Sequence, residues 1–165
     1  YLTESVDEFT IKTLGMFDEK EFRSIADDDL GIESDEEKEK TKKADEDNKE
    51  LFDFLKDTLS DKVVAVKASS RLKSHAVCLS AEGGISIEME KVLASQPSEE
   101  NRVKANKVLE LNTEHEVFAK MKTLYAEDQE KLKVYADLLW NQACLIEGLT
   151  IEDPVGFANT ICTLM

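Results

Sequence analysis

From Leu132 to Ile146 the chain carries Leu132, Tyr135, Ala136, Leu138, Leu139, Trp140, Ala143, Leu145 and Ile146, apolar around more than half of a helix circumference. This segment constrains the fold more than any other. A helix with one apolar stripe needs one neighbour, whereas a helix apolar on two faces must bury the second on something else. A second apolar segment follows, with Phe157, Ile161 and Leu164, and only small alternating α and β segments precede. Two readings stay open at this level. The helix is buried in a small core of its own, or a symmetric copy supplies the second surface, two helices from each chain forming a four-helix interface.

Helix starts are written along the chain. Ser5–Glu8, Ser34–Glu37 and Thr113–Glu116 have the S/T-x-x-E form, in which a hydroxyl caps one free N–H and a glutamate reaches back to another. Asp153-Pro154 pairs an N-cap carboxylate with proline at the first helical position. The expected order is a strand at Tyr1-Leu2, a helix over 7–14 and a strand near 21–25. A single long helix over 35–59 follows, solvated at its start and docked at its end through Leu51, Phe52, Leu55 and Leu59. Strands are expected at Val63–Val66, Ala76–Leu79 and Val108–Leu111. Further helices are expected over 115–126, 130–147 and 153–164, the second closed by Gly148. The fold class is α+β, a small mixed sheet with flanking helices and a C-terminal helical pair.

Gly83-Gly84 precedes Ile85–Leu93, where Ile85, Met89, Val92 and Leu93 recur at helical spacing. That stripe packs on its own sheet or stays open to grip other polypeptides, with Met89 as an adaptable contact. Pattern alone divides the two evenly.

Charge and composition narrow the function. The 165 residues hold 21 Lys and Arg against 36 Asp and Glu, a net charge of −15, which disfavours nucleic acid and anionic membrane surfaces as partners. The apolar share of 41% is that of a globular chain. No apolar run approaches the ~18 residues of a membrane span. Cys78, Cys144 and Cys162 are odd in number and widely spaced, so buried free thiols in a reducing cytoplasm are expected. His75 and Cys78 are the one close pair of metal-ligand types, too few for a zinc site. There is no phosphate-cradling glycine loop, no nucleophile elbow, and no carboxylate in an apolar context that would raise its pKa. Catalysis within this chain is not expected. Tyr1 is not a start methionine, and the chain reads as a piece of a longer protein.

Val6-Asp7-Glu8-Phe9, Phe17-Asp18, Ser70-Arg71-Leu72, Leu109-Glu110-Leu111-Asn112 with His115, and Leu149-Thr150-Ile151-Glu152-Asp153-Pro154 follow one another in a specific order. In that order and approximate spacing, over nearly all of its length, the chain resembles the heat shock protein 90 chaperones, closest to their bacterial branch. Thr113 and Glu116 depart from the family, where many relatives have proline. The resemblance implies that residues 1–30 end a middle domain and that 31–165 form a C-terminal dimerisation domain. It implies client contacts at Phe9, Ile85, Met89, Val92 and Leu93. It supports a dimer interface through Leu138, Leu139, Ala143, Leu145, Ile146, Phe157, Ile161 and Leu164. Partners would be a second copy and unfolded or partly folded clients. ATP and magnesium would belong to the parent protein, with no cofactor and no metal in this segment. The competing reading is a stand-alone acidic adaptor without chaperone activity.

Overall fold

A computed structural model describes residues 7–22, 34–94 and 103–165. The strand expected at Tyr1-Leu2, the cap at Ser5 and the stop at Gln96–Ser98 lie outside them. The chain divides into two compact units, residues 1–32 with 80–107, and residues 33–79 with 108–165.

In the first unit, helix α1 spans Asp7–Leu14, as its pattern predicts, with acidic residues in the first turn and Lys12 in the last. Gly15, at φ +71°, ends it. A two-stranded antiparallel hairpin follows, β1 at Met16–Phe17 and β2 at Lys20–Glu21. The strand expected near 21–25 is thus found at Lys20–Glu21, Phe22 lies past its end, and residues 23–25 lie outside the described segments. Asp18 and Glu19 both take positive φ, 50° and 60°, as a two-residue hairpin turn requires. Asn-Gly would have announced such a turn; Asp-Glu does not.

In the second unit, helix α2 spans Asp35–Asp47 and α3 spans Lys49–Leu59. The single long helix expected here is broken at Asn48, whose backbone sits at φ −120°, ψ 17°. Its side-chain amide donates to the Ala44 carbonyl at 2.6 Å, competing with the helical ladder. Charge periodicity on either side is unaffected by such a kink, so the pattern could not reveal it. The Ser34 capping box is present: the Glu37 N–H donates to Ser34 Oγ and the Ser34 N–H to the Glu37 carboxylate. Helix α2 buries nothing, and α3 buries Leu51, Phe52, Leu55 and Leu59.

After a short 3₁₀ turn at Ser60–Lys62, strand β3 spans Ala65–Ala68, β4 spans Val77–Glu82 and β5 spans Asn106–Leu111. The sheet order is β3-β5-β4, with β3 parallel to β5 and Ala65 opposite Val108. The first strand begins two residues later than Val63, because pairing with β5 decides its start and β-branching does not. Central β5 is buried from Lys107 to Leu111, so it reads as a near-continuous buried run rather than an alternation.

Helices α5 (Glu116–Glu127), α6 (Gln129–Ile146) and α7 (Pro154–Leu164) complete the unit. The cap expected at Thr113 is displaced: His115 is the N-cap, its Nδ1 accepting from the Val117 N–H at 3.2 Å. The Asn112 side chain accepts from Glu114 N–H and holds the preceding turn, leaving Thr113 outside the helix. Asp153 caps α7 through the Gly156 N–H, as its sequence predicts. Gly148, at φ +68°, ends α6: its N–H donates to Leu145 O and that of Leu149 to Cys144 O. Helix α3 packs on β3 and on α6, and α5 on α6. Phe52 meets Phe118 with ring centres 5.9 Å apart, and Phe54 meets Tyr125 edge-on at 5.6 Å. Leu55, Leu59, Val108, Leu109, Leu111, Met121 and Leu132 are fully buried in this core.

Candidate interaction surfaces

Helix α4, Ile87–Ala94 in the first unit, carries most of the residues singled out as client contacts. It begins two residues later than its apolar spacing suggests. Ser86 is the reason: its hydroxyl accepts from the Met89 N–H at 3.1 Å and its carbonyl from the Glu90 N–H at 3.0 Å, so it acts as the N-cap. Ile85 thus lies just before the helix. Ile85, Met89, Val92 and Leu93 are all half-buried and none is buried; the residue that anchors α4 is Ile87, which the stripe left out. Neither the fully packed helix nor the fully open one describes it.

Polar ties fix the rest of α4. Glu90 accepts from the Ala105 N–H at 2.7 Å and pairs with the buried Lys107 ammonium. On the other side, Ser86 Oγ donates to Glu8 of α1 at 2.7 Å, and Lys12 of α1 donates to the Gly84 carbonyl at 3.1 Å. Sequence reasoning missed Glu8, Lys12, Ser86, Ile87, Glu90 and Lys107. Ser86, a capping residue before an apolar run, carried a local signal, and Glu8 was marked only as a helix-start glutamate and part of a family motif. Phe9 is half-buried on α1 and lines an open groove with Thr10, Thr13 and Leu14. In the same unit Leu14, Met16, Phe17 and Phe22 are exposed.

The second surface lies at the end of α6 and on α7. Of the residues singled out for a dimer interface, Leu139 and Ala143 are only 2% and 0% exposed within a single copy. Both face inward, and they have no side-chain surface left to offer. Leu138, Phe157 and Leu164 are half-buried. Leu145, Ile146 and Ile161 stand out at 53%, 50% and 37% exposure. Helix α7 buries no residue at all, although it packs on α6 and Pro154–Leu164 contains no charged side chain.

Three findings concern ionisable groups in the second unit. The carboxylate of Glu110, on the central strand, is buried and pairs with Arg71; Ser69 Oγ donates to it at 2.8 Å. Asp45, at the end of α2, accepts from the Ala68 N–H of edge strand β3 at 2.7 Å, and burial pushes its carboxyl above the usual range. The expectation that no carboxylate sits where its pKa is raised fails there, because desolvation comes from an element far along the chain. Cys78 lies 3.7 Å from Glu110, and burial, with that negative charge, pushes its thiol up to about 12. Cys78 is half-buried, and Cys162, expected buried, is exposed. Among the described residues, no group of three or more metal-ligating side chains occurs, and no helix is long and apolar enough to cross a membrane.

These elements define an α+β segment with helices flanking a small mixed sheet. The family model described as Hsp90 protein matches residues 1–165, and the chain belongs to that family. It is 57% identical over its whole length to the chaperone protein HtpG of Clostridium acetobutylicum and 56% to that of Clostridium botulinum strain Loch Maree. It is 54% identical to the HtpG of Alkaliphilus oremlandii. In each case the chain spans 26% of the relative's length.

Proposed function

We propose that this segment is the homodimerisation and client-contact part of an ATP-dependent chaperone of the bacterial cytoplasm, acting under heat stress and in protein folding. Residues 1–30 would end the middle domain and 31–165 would form the dimerisation domain. Nucleotide and magnesium would be bound elsewhere in the longer protein, so this segment itself would be catalytically silent. The relatives' name, chaperone protein, supports the general role.

The observation that supports dimerisation is helix α7, uncharged over Pro154–Leu164 in a chain that is 35% charged, yet with no residue buried. An apolar helix left so open in one copy is matched by the equally open Leu145 and Ile146 at the end of α6. At about 25 cal/mol per Å², each half-exposed Leu or Ile that becomes covered contributes about 1 kcal/mol. Several such residues on each of two copies give several kcal/mol, against an association cost of at least about 4 kcal/mol. The intermolecular four-helix bundle is the arrangement that covers them all.

Sedimentation of mass against concentration tests this. The parent chain is expected to be a dimer at micromolar concentration, and Leu145→Asp with Ile161→Asp a folded monomer. A double variant that stays dimeric would place the interface elsewhere.

A further inference from the structure

Helix α1 meets α4 through two polar residues, Glu8 and Lys12. Glu8 and Lys12 lie one turn apart and pair with each other at 3.6 Å. Glu8 accepts from the Ser86 hydroxyl at 2.7 Å, and that same hydroxyl accepts the Met89 N–H that starts α4. Lys12 donates to the Gly84 carbonyl at 3.1 Å, and its ammonium lies 3.2 Å from the Met89 sulfur. Met89 is the central member of the apolar stripe, so a strongly hydrated cation sits against the surface that a polypeptide would have to cover. Gly83, at φ +88°, and Gly84 precede α4, and glycine is the residue type that tolerates such backbone angles most readily.

We propose that Glu8 and Lys12 form a polar clasp that restrains α4 and keeps Met89 partly covered, so that its release exposes the stripe to unfolded polypeptides. The proposal rests on the client-contact reading of α4. The clasp limits affinity in the resting state: a client displaces the Lys12 ammonium from Met89, and the ammonium returns to water, where it is well solvated. The partners are partly exposed, so salt weakens the clasp. Ile87 and the Glu90–Lys107 pair keep α4 attached when it opens.

The test uses the full-length protein with Lys12→Ala, Glu8→Ala with Lys12→Ala, and Lys12→Arg. Amide hydrogen exchange over 86–92 reads the clasp without any client. Binding of a permanently unfolded probe, reduced and carboxymethylated lactalbumin, reads its consequence. Both alanine variants are expected to exchange faster over 86–92 and to bind the probe about two- to fivefold more tightly, the range that release of partly exposed ionic contacts supports. Lys12→Arg should stay near the parent. Unchanged exchange in the double variant would overturn the clasp whatever the clients do. Faster exchange with unchanged or weaker probe binding would make the contacts a support for α4 rather than a restraint, and would also overturn it. Met89→Asp in the parent separates the underlying reading: if probe binding does not fall, α4 is not the client surface, and the proposal falls with that reading rather than with the clasp geometry.

Discussion

Among the described residues, Glu110 is the most deeply buried charged side chain. It is the penultimate residue of the central strand, 2% exposed, and its charge is tolerated because Arg71, Ser69 and the Cys78 thiol surround the carboxylate. Removing one partner of a buried pair leaves the other uncompensated. Arg71 retains about a quarter of its side-chain exposure, so the loss belongs at the low end of that range. Glu110→Gln should cost about 3 kcal/mol, seen as a lower urea midpoint with an unchanged slope. Asp45 gives a pH dependence of defined sign. Its pKa is raised in the folded chain, first by burial, against the lowering effect of the Ala68 N–H, with Glu110 adding to the rise. The folded state then holds that proton more tightly than the unfolded one, so this site's contribution to stability rises as pH falls and is lost as pH rises through the folded pKa. Asp45→Asn keeps an acceptor for Ala68 and cannot titrate. The stability of the parent relative to this variant should therefore increase as pH is lowered from 7 towards about 4. A difference that is flat or of opposite slope would show that the carboxylate is charged and well compensated.

At the scale of elements, helix ends carry most of the local information. Ser34 and Asp153 cap the helices their motifs announce, while His115 and Ser86 cap helices one or two residues away from the expected starts. At the C-terminus of α6, Gly148 takes φ +68° so that two amides can close on Cys144 and Leu145. Gly148→Ala should destabilise the chain by about 1 kcal/mol, because a Cβ is disfavoured in the left-handed region. A thermal midpoint unchanged within error would mean that the helix ends another way. Helix α4 makes the sharper prediction. Met89→Asp with Val92→Asp puts two carboxylates on side chains that are half-buried rather than buried, so the melting temperature should fall only modestly. Suppression of client aggregation should fall strongly. Unfolding would instead identify a core helix.

For the molecule as a whole, what matters is which apolar surface a single copy leaves uncovered. In the 33–79 and 108–165 unit, α6 spends Leu132, Ala136, Leu139 and Ala143 on its own core, and α7 spends nothing. Truncation after Gly148 removes α7 entirely and uncovers the side of α6 on which it packs. The truncated chain is expected to be monomeric by sedimentation and prone to aggregate, since the apolar end of α6 would keep neither its neighbour nor its copy. A truncated chain that stays dimeric at micromolar concentration would exclude the four-helix arrangement.

The α+β class, the positions of nearly all the helices and the three strands of the main sheet were legible because periodicity and capping chemistry are local. Two neighbouring turns of chain contain everything that decides them. The split of the α6 residues into a core face and an open face was not, since Leu139 and Leu145 are the same residue type and differ only in what stands beside them. The break at Asn48 and the burial of Glu110 were equally hidden: each depends on hydrogen-bond partners or neighbours that the local apolar pattern does not encode. The same holds for the clasp on α4, where Glu8 and Lys12 meet Ser86 and Gly84 across more than seventy residues of chain. Local sequence determined which segments are helix or strand and which surfaces are apolar. Tertiary structure alone decided which of those surfaces are already covered, because burial is a property of neighbours and not of the residue.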